Sequence, residues 1–281
     1  MITYLSYEEA IKKLDDLPSL PAIVVDLINS IDHEDVDISV LAKKVARDLA
    51  LAAKTLRVAN SSLYGLQIKV TTIQQAITYL GFQVTRNLVM TAAITSHFQE
   101  TMCQGLDAKS FWRHSIATAA CAKVLARLMR VNQDYSFTAG LLHDIGRLAL
   151  ALCFPQQFQH AVAYRAAHDC TMQEAERAVL GIDHVEAGLV LAQHWNFSDT
   201  LQLAIAGHHN PEAPGASALA SIIHIADAVV HALDLTQVSD DLVPRVSPAA
   251  WATIGLDDHA CLQLFRETEL YYEEIATSIL S

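Results

Sequence analysis

Apolar residues recur three and four positions apart through almost the whole chain, and the stretch "ALASIIHIADAVVHAL" at 218–233 is apolar on nearly every face. That spacing follows the helical period of about 3.6 residues and conflicts with the two-residue period of a strand. Strand-like alternation joined by Asn-Gly or Asp-Gly turns is missing, so the pattern predicts an all-α fold, a multi-helix bundle. With 281 residues and 52% hydrophobic content, a large buried core is within reach.

Local signals divide the bundle. Asp37 is an N-cap for "ISVLAKKVAR". "TTIQQAITYLG" offers a capping box from Thr72 and Gln75, one apolar face from Ile73, Ala76, Ile77 and Leu80, and Gly81 as a left-handed terminator. The polar stretch "QETMCQGLDAKS" then separates an amino-terminal helical subdomain, 1–105, from a second one, 106–281, that opens at "FWRHSIATAACAKVLARLM". Further helices are expected near 134–142, 156–168, 172–180, 184–194, 198–207, 216–233 and 258–279.

The formal net charge is -12 and no basic cluster interrupts it, which argues against nucleic acid and anionic membranes as partners. Cysteines at 103, 121, 153, 170 and 261 form no C-x-x-C pair, so reduced thiols are expected in place of a disulfide frame or zinc ribbon. "MITYLSYEEAIKKLDDL" is unlike a signal peptide, and no uncharged stretch reaches the length of a membrane span. A soluble, cytoplasmic protein is expected.

The histidines carry the chemistry. His143 and Asp144 sit together in "GLLHDIGRLAL", although a second such pair, His168-Asp169, shows that the dipeptide alone means little. His114 lies in an apolar helix beside Trp112, where a buried histidine bonded to a carbonyl is the bland alternative. His184 stands at a helix start, and His208 and His209 follow an apolar helix, where solvated helix ends would suffice. Asp227 is harder to dismiss, because a carboxylate inside "ALASIIHIADAVVHAL" is costly to bury unpaired. His224 and His231, three and four residues away, could satisfy it locally, but a divalent metal would do so better.

Together His114, His143, Asp144, His184, His208, His209 and Asp227 are five nitrogen and two oxygen ligands on apolar helices or at their ends. Such a set suits iron, manganese or zinc, whereas magnesium prefers oxygen. Two ions are accommodated if Asp144 bridges them, which is the arrangement of binuclear phosphohydrolases.

This ordered series resembles the HD superfamily of metal-dependent phosphohydrolases. The region Leu17–Asn210 resembles the HDOD domain of bacterial signalling proteins, through "LPSLPAIVVDLIN", "ARDLALAAKTLRVANSSLYG" with Asn60-Ser61, "TTIQQAITYLGF", "FWRHSIATAACAKVLA" and "AGLLHDIGRLAL". The resemblance implies an all-α bundle with an HD-like half and a regulatory or scaffolding role. The ligands also resemble those of HD-GYP cyclic-dinucleotide phosphodiesterases, with departures. "HHNPEAPGASALA" lacks Gly-Tyr-Pro, Arg147 replaces the lysine that often follows His-Asp-x-Gly, and Val230 replaces a lysine one turn after the last aspartate.

Two functions follow. In one, the protein is a signalling module whose ions are structural or ligand-sensing, with a partner surface around Asn60 and Tyr64; the partner is a signalling protein or a phosphorylated small molecule. In the other it is a phosphohydrolase of a nucleotide or phosphodiester, with Asp144 and Arg147 in catalytic roles. A helical bundle with an empty, decayed site is the bland third reading.

Overall fold

The computed structural model describes residues 7–15, 17, 19–31, 38–99, 105–236 and 242–280, and every regular element among them is helical. The amino-terminal part comprises α1 (Tyr7–Asp15), α2 (Ala22–Asn29), α3 (Ile38–Ala46), α4 (Leu49–Ala59), a single 3-10 turn (Ser62–Tyr64), α5 (Ile73–Leu80) and α6 (Phe82–Gln99). The remainder comprises α7 (Ala108–Met129), α8 (Gln133–Leu142), α9 (Ile145–Cys153), α10 (Pro155–His168), α11 (Met172–Leu180), α12 (His184–His194), α13 (Asp199–Gly207), α14 (Ala218–Ala232), α15 (Pro248–Ile254) and α16 (Asp258–Ile279). The proposed Asp37 cap, Cys103 and part of the polar boundary stretch lie outside the described residues. No disulfide forms among the described cysteines, and no single described helix is long and apolar enough to cross a membrane.

The local signals act with two modifications. Thr72 accepts the Gln75 N–H at 3.1 Å, but the Gln75 side chain reaches the N–H of Thr71, at 2.8 Å, and not that of the cap itself. Gly81 has the expected positive φ of 87°, yet its ψ of 159° is extended instead of left-handed helical. The reason is that α6 begins at the next residue, so the chain must turn and not merely stop. The sequence also leaves α9 and α15 unassigned beyond the boundary stretch, and gives no separate span to α1, α2, α4 and α6 before it.

The core is organised on α7, which packs against α8, α14 and α16. Its contact with α8 is unusually close. A β-carbon on Gly140 would lie 2.8 Å from Ala119 Cα and 2.9 Å from the Thr118 carbonyl oxygen, so glycine is required there. α9 lies on α12 in the same way, through Gly146.

Polar contacts join the two parts of the chain. Arg86 on α6 is buried and pairs with Asp134 in the first turn of α8 at 2.9 Å, while Asn87 donates to the same carboxylate at 3.1 Å. α16 runs back to α4 and the 3-10 turn: Tyr271 receives a hydrogen bond from Lys123 at 2.8 Å and meets the Tyr64 hydroxyl at 3.4 Å, and Ser62 bonds Glu274. Asn60 is likewise engaged within the chain. Its amide donates to the carbonyls of Leu56 and Val70 and accepts the Val70 N–H, each at 2.7 Å, closing the loop after α4.

Candidate metal centre

Four helix ends and two helix interiors deliver the candidate ligands to one place. His143 closes α8 and Asp144 stands at the N-cap of α9, so the break between these helices presents both side chains. His184 opens α12, behind Asp183 and a capping box with Glu186. His208 closes α13 and His209 follows it. His114 and Asp227 project from the middles of α7 and α14. The two close approaches described above set the spacing: Gly140 lets His143 reach His114, and Gly146 lets Asp144 reach His184.

All of the residues expected from the sequence converge. The Asp144 Oδ1 atom lies 3.4 Å from His184 Nε2 and 3.7 Å from the Nε2 atoms of both His143 and His208. Its Oδ2 atom lies 3.9 Å from His114 Nε2 and accepts a hydrogen bond from Arg147 at 2.9 Å. Asp227 Oδ1 is 3.1 Å from His114 Nε2 and 3.9 Å from His143 Nε2. His209 Nε2 meets His184 Nε2 at 2.9 Å, and His114 Nε2 meets His143 Nε2 at 3.2 Å.

The hydrogen bonds behind the rings decide which atoms face the centre. A carbonyl only accepts, so His143 donates through Nδ1 to Gly140 at 2.8 Å, and His208 donates through Nδ1 to Ile205 at 2.7 Å. Both rings therefore turn an Nε2 lone pair inward. The Nε2 of His208 is buried and has no hydrogen-bond partner among the described residues. The inward lone pairs of His143 and His208 and the carboxylate oxygens of Asp144 and Asp227, 3.7 to 3.9 Å apart, repel unless a cation lies among them. The cluster thus fits a divalent metal.

Electrostatics agree with that polarity. Burial pushes the His143 imidazole down to about 4, helped by the neighbouring His114 and His208, so the ring is neutral and its lone pair available. Burial opposes ionisation of Asp144, but His143, Arg147 and His184 hold its carboxyl well below the usual carboxylate range. Asp227 is also held low against burial, by hydrogen bonds from His114 and His231. His184 moves the other way: burial would lower it, but the carboxylates of Glu176 and Asp144 raise it to about 9.

Two members escape sequence reasoning. His231, one turn beyond Asp227, lies 3.3 Å from its Oδ1 atom and joins a ligand group with His114 and Asp227. His224, the other local candidate, turns away, donating to the His208 carbonyl at 2.8 Å and accepting the Ser247 N–H at 3.0 Å. Glu176 on α11 is fully buried and accepts from His184 twice, from Nδ1 at 2.5 Å and from the backbone N–H at 2.9 Å. A carboxylate behind a ligating imidazole fixes its tautomer and strengthens it as a ligand. Glu176→Ala is therefore expected to weaken metal binding about 10- to 100-fold, with Glu176→Gln less affected because its amide oxygen still accepts. Competition with a chelator of known affinity measures this, and unchanged affinity in Glu176→Ala would remove the residue from the centre.

The second His-Asp pair has no such company. Asp169 is the exposed left-handed cap of α10, and His168 bonds back to the Tyr164 carbonyl at 2.9 Å. Above the cluster opens a cavity of about 470 Å³, with Asp144, His184, His209 and Asp227 in its lining and Arg147 beside them.

Comparison with known proteins bears on this architecture. The HDOD domain model matches residues 17–211. An HDOD domain protein of unknown function from Geobacter sulfurreducens superposes with a TM-score of 0.76 at 26% identity, covering 98% of this chain and 96% of that one. A protein from Shewanella amazonensis SB2B, provisionally assigned as a phosphohydrolase, gives 0.78 at 27% identity, with 96% and 97% covered. An uncharacterized protein of Treponema pallidum (strain Nichols) is 26% identical over 273 residues, which is 96% of this chain but 46% of that protein, so the chain spans less than half of the curated relative. Asp227 and His231 fall beyond the matched stretch. The matched region, the helical fold and the superpositions agree: this chain belongs to the HDOD domain family.

Proposed function

We propose that the protein is a regulatory module of bacterial-type signalling whose HD-like cluster holds two divalent ions, iron or manganese in preference to zinc or magnesium. One observation carries the reading. Asp144 belongs both to a ligand group with His184, His208 and His209 and to another with His114 and His143, each with its ligand atoms within 4.8 Å of one another. A carboxylate common to two groups is what a bridged pair of ions needs. His114, Asp227 and His231 complete the side nearer α14.

The same features support metal binding more than they support turnover. Val230, where the phosphodiesterases that the chain resembles have a lysine, is fully buried in the core and offers nothing to a ligand. Bound ions would supply an acidified water and neutralise a phosphoryl oxygen. The chain itself supplies Arg147, about a quarter exposed, bonded to Asp144 and facing the cavity, where it can orient a phosphate. That cavity favours the second reading, a phosphohydrolase of a nucleotide or phosphodiester.

Elemental analysis of untagged protein and three variants tests the proposal. The parent should carry about two equivalents of metal. Asp144→Ala should lose both ions, His184→Ala should keep the one nearer His114, and Asp169→Ala should match the parent. Ions that bind only the folded state add to its stability, so chelation should lower the thermal midpoint of the parent more than that of Asp144→Ala. Equal metal content in the Asp144 and Asp169 variants would refute the centre. Robust metal-dependent turnover of a phosphodiester would move the assignment to the enzyme.

A further inference from the structure

A cavity of about 520 Å³ opens where the start of α7, the end of α14 and the last turns of α16 meet, and it shares no lining residue with the cavity above the cluster. α7 presents two faces at this level. Ser110 and His114 border a cavity of about 160 Å³ that also reaches Arg147 and His231 on the cluster side. Lys109 and Arg113, one helical turn apart, line the larger cavity instead. Leu233 and Leu235, just past the end of α14, and Ala276 on α16 give it an apolar wall.

Charges of both signs line this cavity without closing on one another. Lys109 and Arg113 stand on α7, Asp234 in the turn after α14 and Glu273 on α16, and among the described residues no ion pair or side-chain hydrogen bond engages any of the four. Arg113 is nevertheless half-buried, and a guanidinium withdrawn from water without a partner is a costly arrangement. Its charge reaches Asp107, the cap of α7, and Tyr272 only through space. Tyr272, 8% exposed, also lines the cavity: burial raises its phenol, Arg113 opposes the rise and Glu273 adds to it. A cation and a carboxylate thus act on one hydroxyl while leaving room between them.

We infer that this cavity binds a short apolar peptide by its free ends, with Lys109 and Arg113 taking the carboxylate, Asp234 and Glu273 taking the ammonium, and the peptide's side chains lying on Leu233, Leu235 and Ala276. A purely anionic ligand would meet the two carboxylates, and a purely cationic one the two bases. A zwitterion satisfies both pairs. An apolar body covers the leucines, which a small polar zwitterion would leave in water. The volume lies within the range of about 300–1,000 Å³ usual for small-molecule sites, and a single amino acid leaves much of it empty. The site has its own residues and does not rest on the metal-centre reading.

The test is calorimetric titration of leucyl-leucine and trileucine into the full chain, beside free leucine and the N-acetyl and C-terminal amide forms of the dipeptide, with metal content measured on each sample. The better of the two free peptides should bind more tightly than leucine, and blocking either end of the dipeptide should weaken it about tenfold or more, the loss of a charged hydrogen bond. Arg113→Met should cost the free dipeptide a similar factor, leave the amide form unchanged and leave the metal content as in the parent. Lys109→Met, at an exposed position where packing is not at stake, and Glu273→Gln at the rim should each cost up to about fivefold, the first sparing the amide form and the second the N-acetyl form. A parent that binds neither free peptide, or binds them as tightly as Arg113→Met and Lys109→Met do, overturns the inference. An N-acetyl form that binds as well as the free dipeptide also overturns it, in favour of a site for simple carboxylates.

Discussion

Gly146→Ala is expected to destabilise the protein by about 3 kcal/mol or more, at the upper end for a small overpacking change. An alanine β-carbon there would lie 1.9 Å from the His184 carbonyl oxygen and 2.6 Å from the Gly188 nitrogen. Both are backbone atoms, so no side-chain rotation relieves the clash and α12 must withdraw from α9. Because His184 opens α12 and Asp144 caps α9, the withdrawal also parts the 3.4 Å contact between them. Thermal unfolding should therefore fall by roughly 6–12 °C, and metal should be lost with it. Gly188→Ala is the control. Its nearest obstacle is the Cγ2 methyl of buried Ile205 at 3.0 Å, a side-chain atom that need give only a few tenths of an ångström, and alanine favours the helix, so the loss should be smaller, about 1 kcal/mol. Equal stabilities for the two variants would show that α9 and α12 do not meet as described.

Asp134→Ala should cost about 3–5 kcal/mol, because it strands the buried guanidinium of Arg86. Arg86 is 4% exposed, and its remaining described contact of this kind is a long one to the Ser30 carbonyl, at 3.4 Å. Replacing both partners, as Arg86→Met with Asp134→Leu, should recover most of the loss, since neither charge then remains unpaired. Urea denaturation of the two single variants and the double variant measures the coupling. A double variant no more stable than Asp134→Ala would mean that the pair is not buried in solution.

Most of the helical pattern was legible in the sequence because each amphipathic helix writes its own period. Expected spans such as 172–180 and 184–194 coincide with α11 and α12. α9 is a different case: "IGRLALALC" is apolar almost all round and too short for periodicity to separate it from its neighbours. α15 has a readable start, Ser247 followed by Pro248 at the first helical position, but its seven residues are too few to show a period.

The candidate site divides along the same line. Its histidines and aspartates stood out because they interrupt apolar helices. Glu176 did not, because two residues earlier Glu174 looks the same in "MQEAERAVL". Glu174 closes an exposed capping box with Thr171, whereas Glu176 faces inward to His184, and only the packing of α11 on α12 separates the two. His231 looked like a local partner for Asp227, which it is, but the approach of α7 to α14 makes it a neighbour of His114 as well.

α8 is gripped at both ends. Asp134 in its first turn is held by Arg86 and Asn87 of α6, and its last residue leads directly into His143 and Asp144. Its ten residues make a rod of about 15 Å, too short to bend appreciably. Mechanically it is a pushrod. A load that shifts α6 along α8 must either break the grip at Asp134 or carry the far end with it, and that far end leads into Asp144, the residue common to two of the ligand groups.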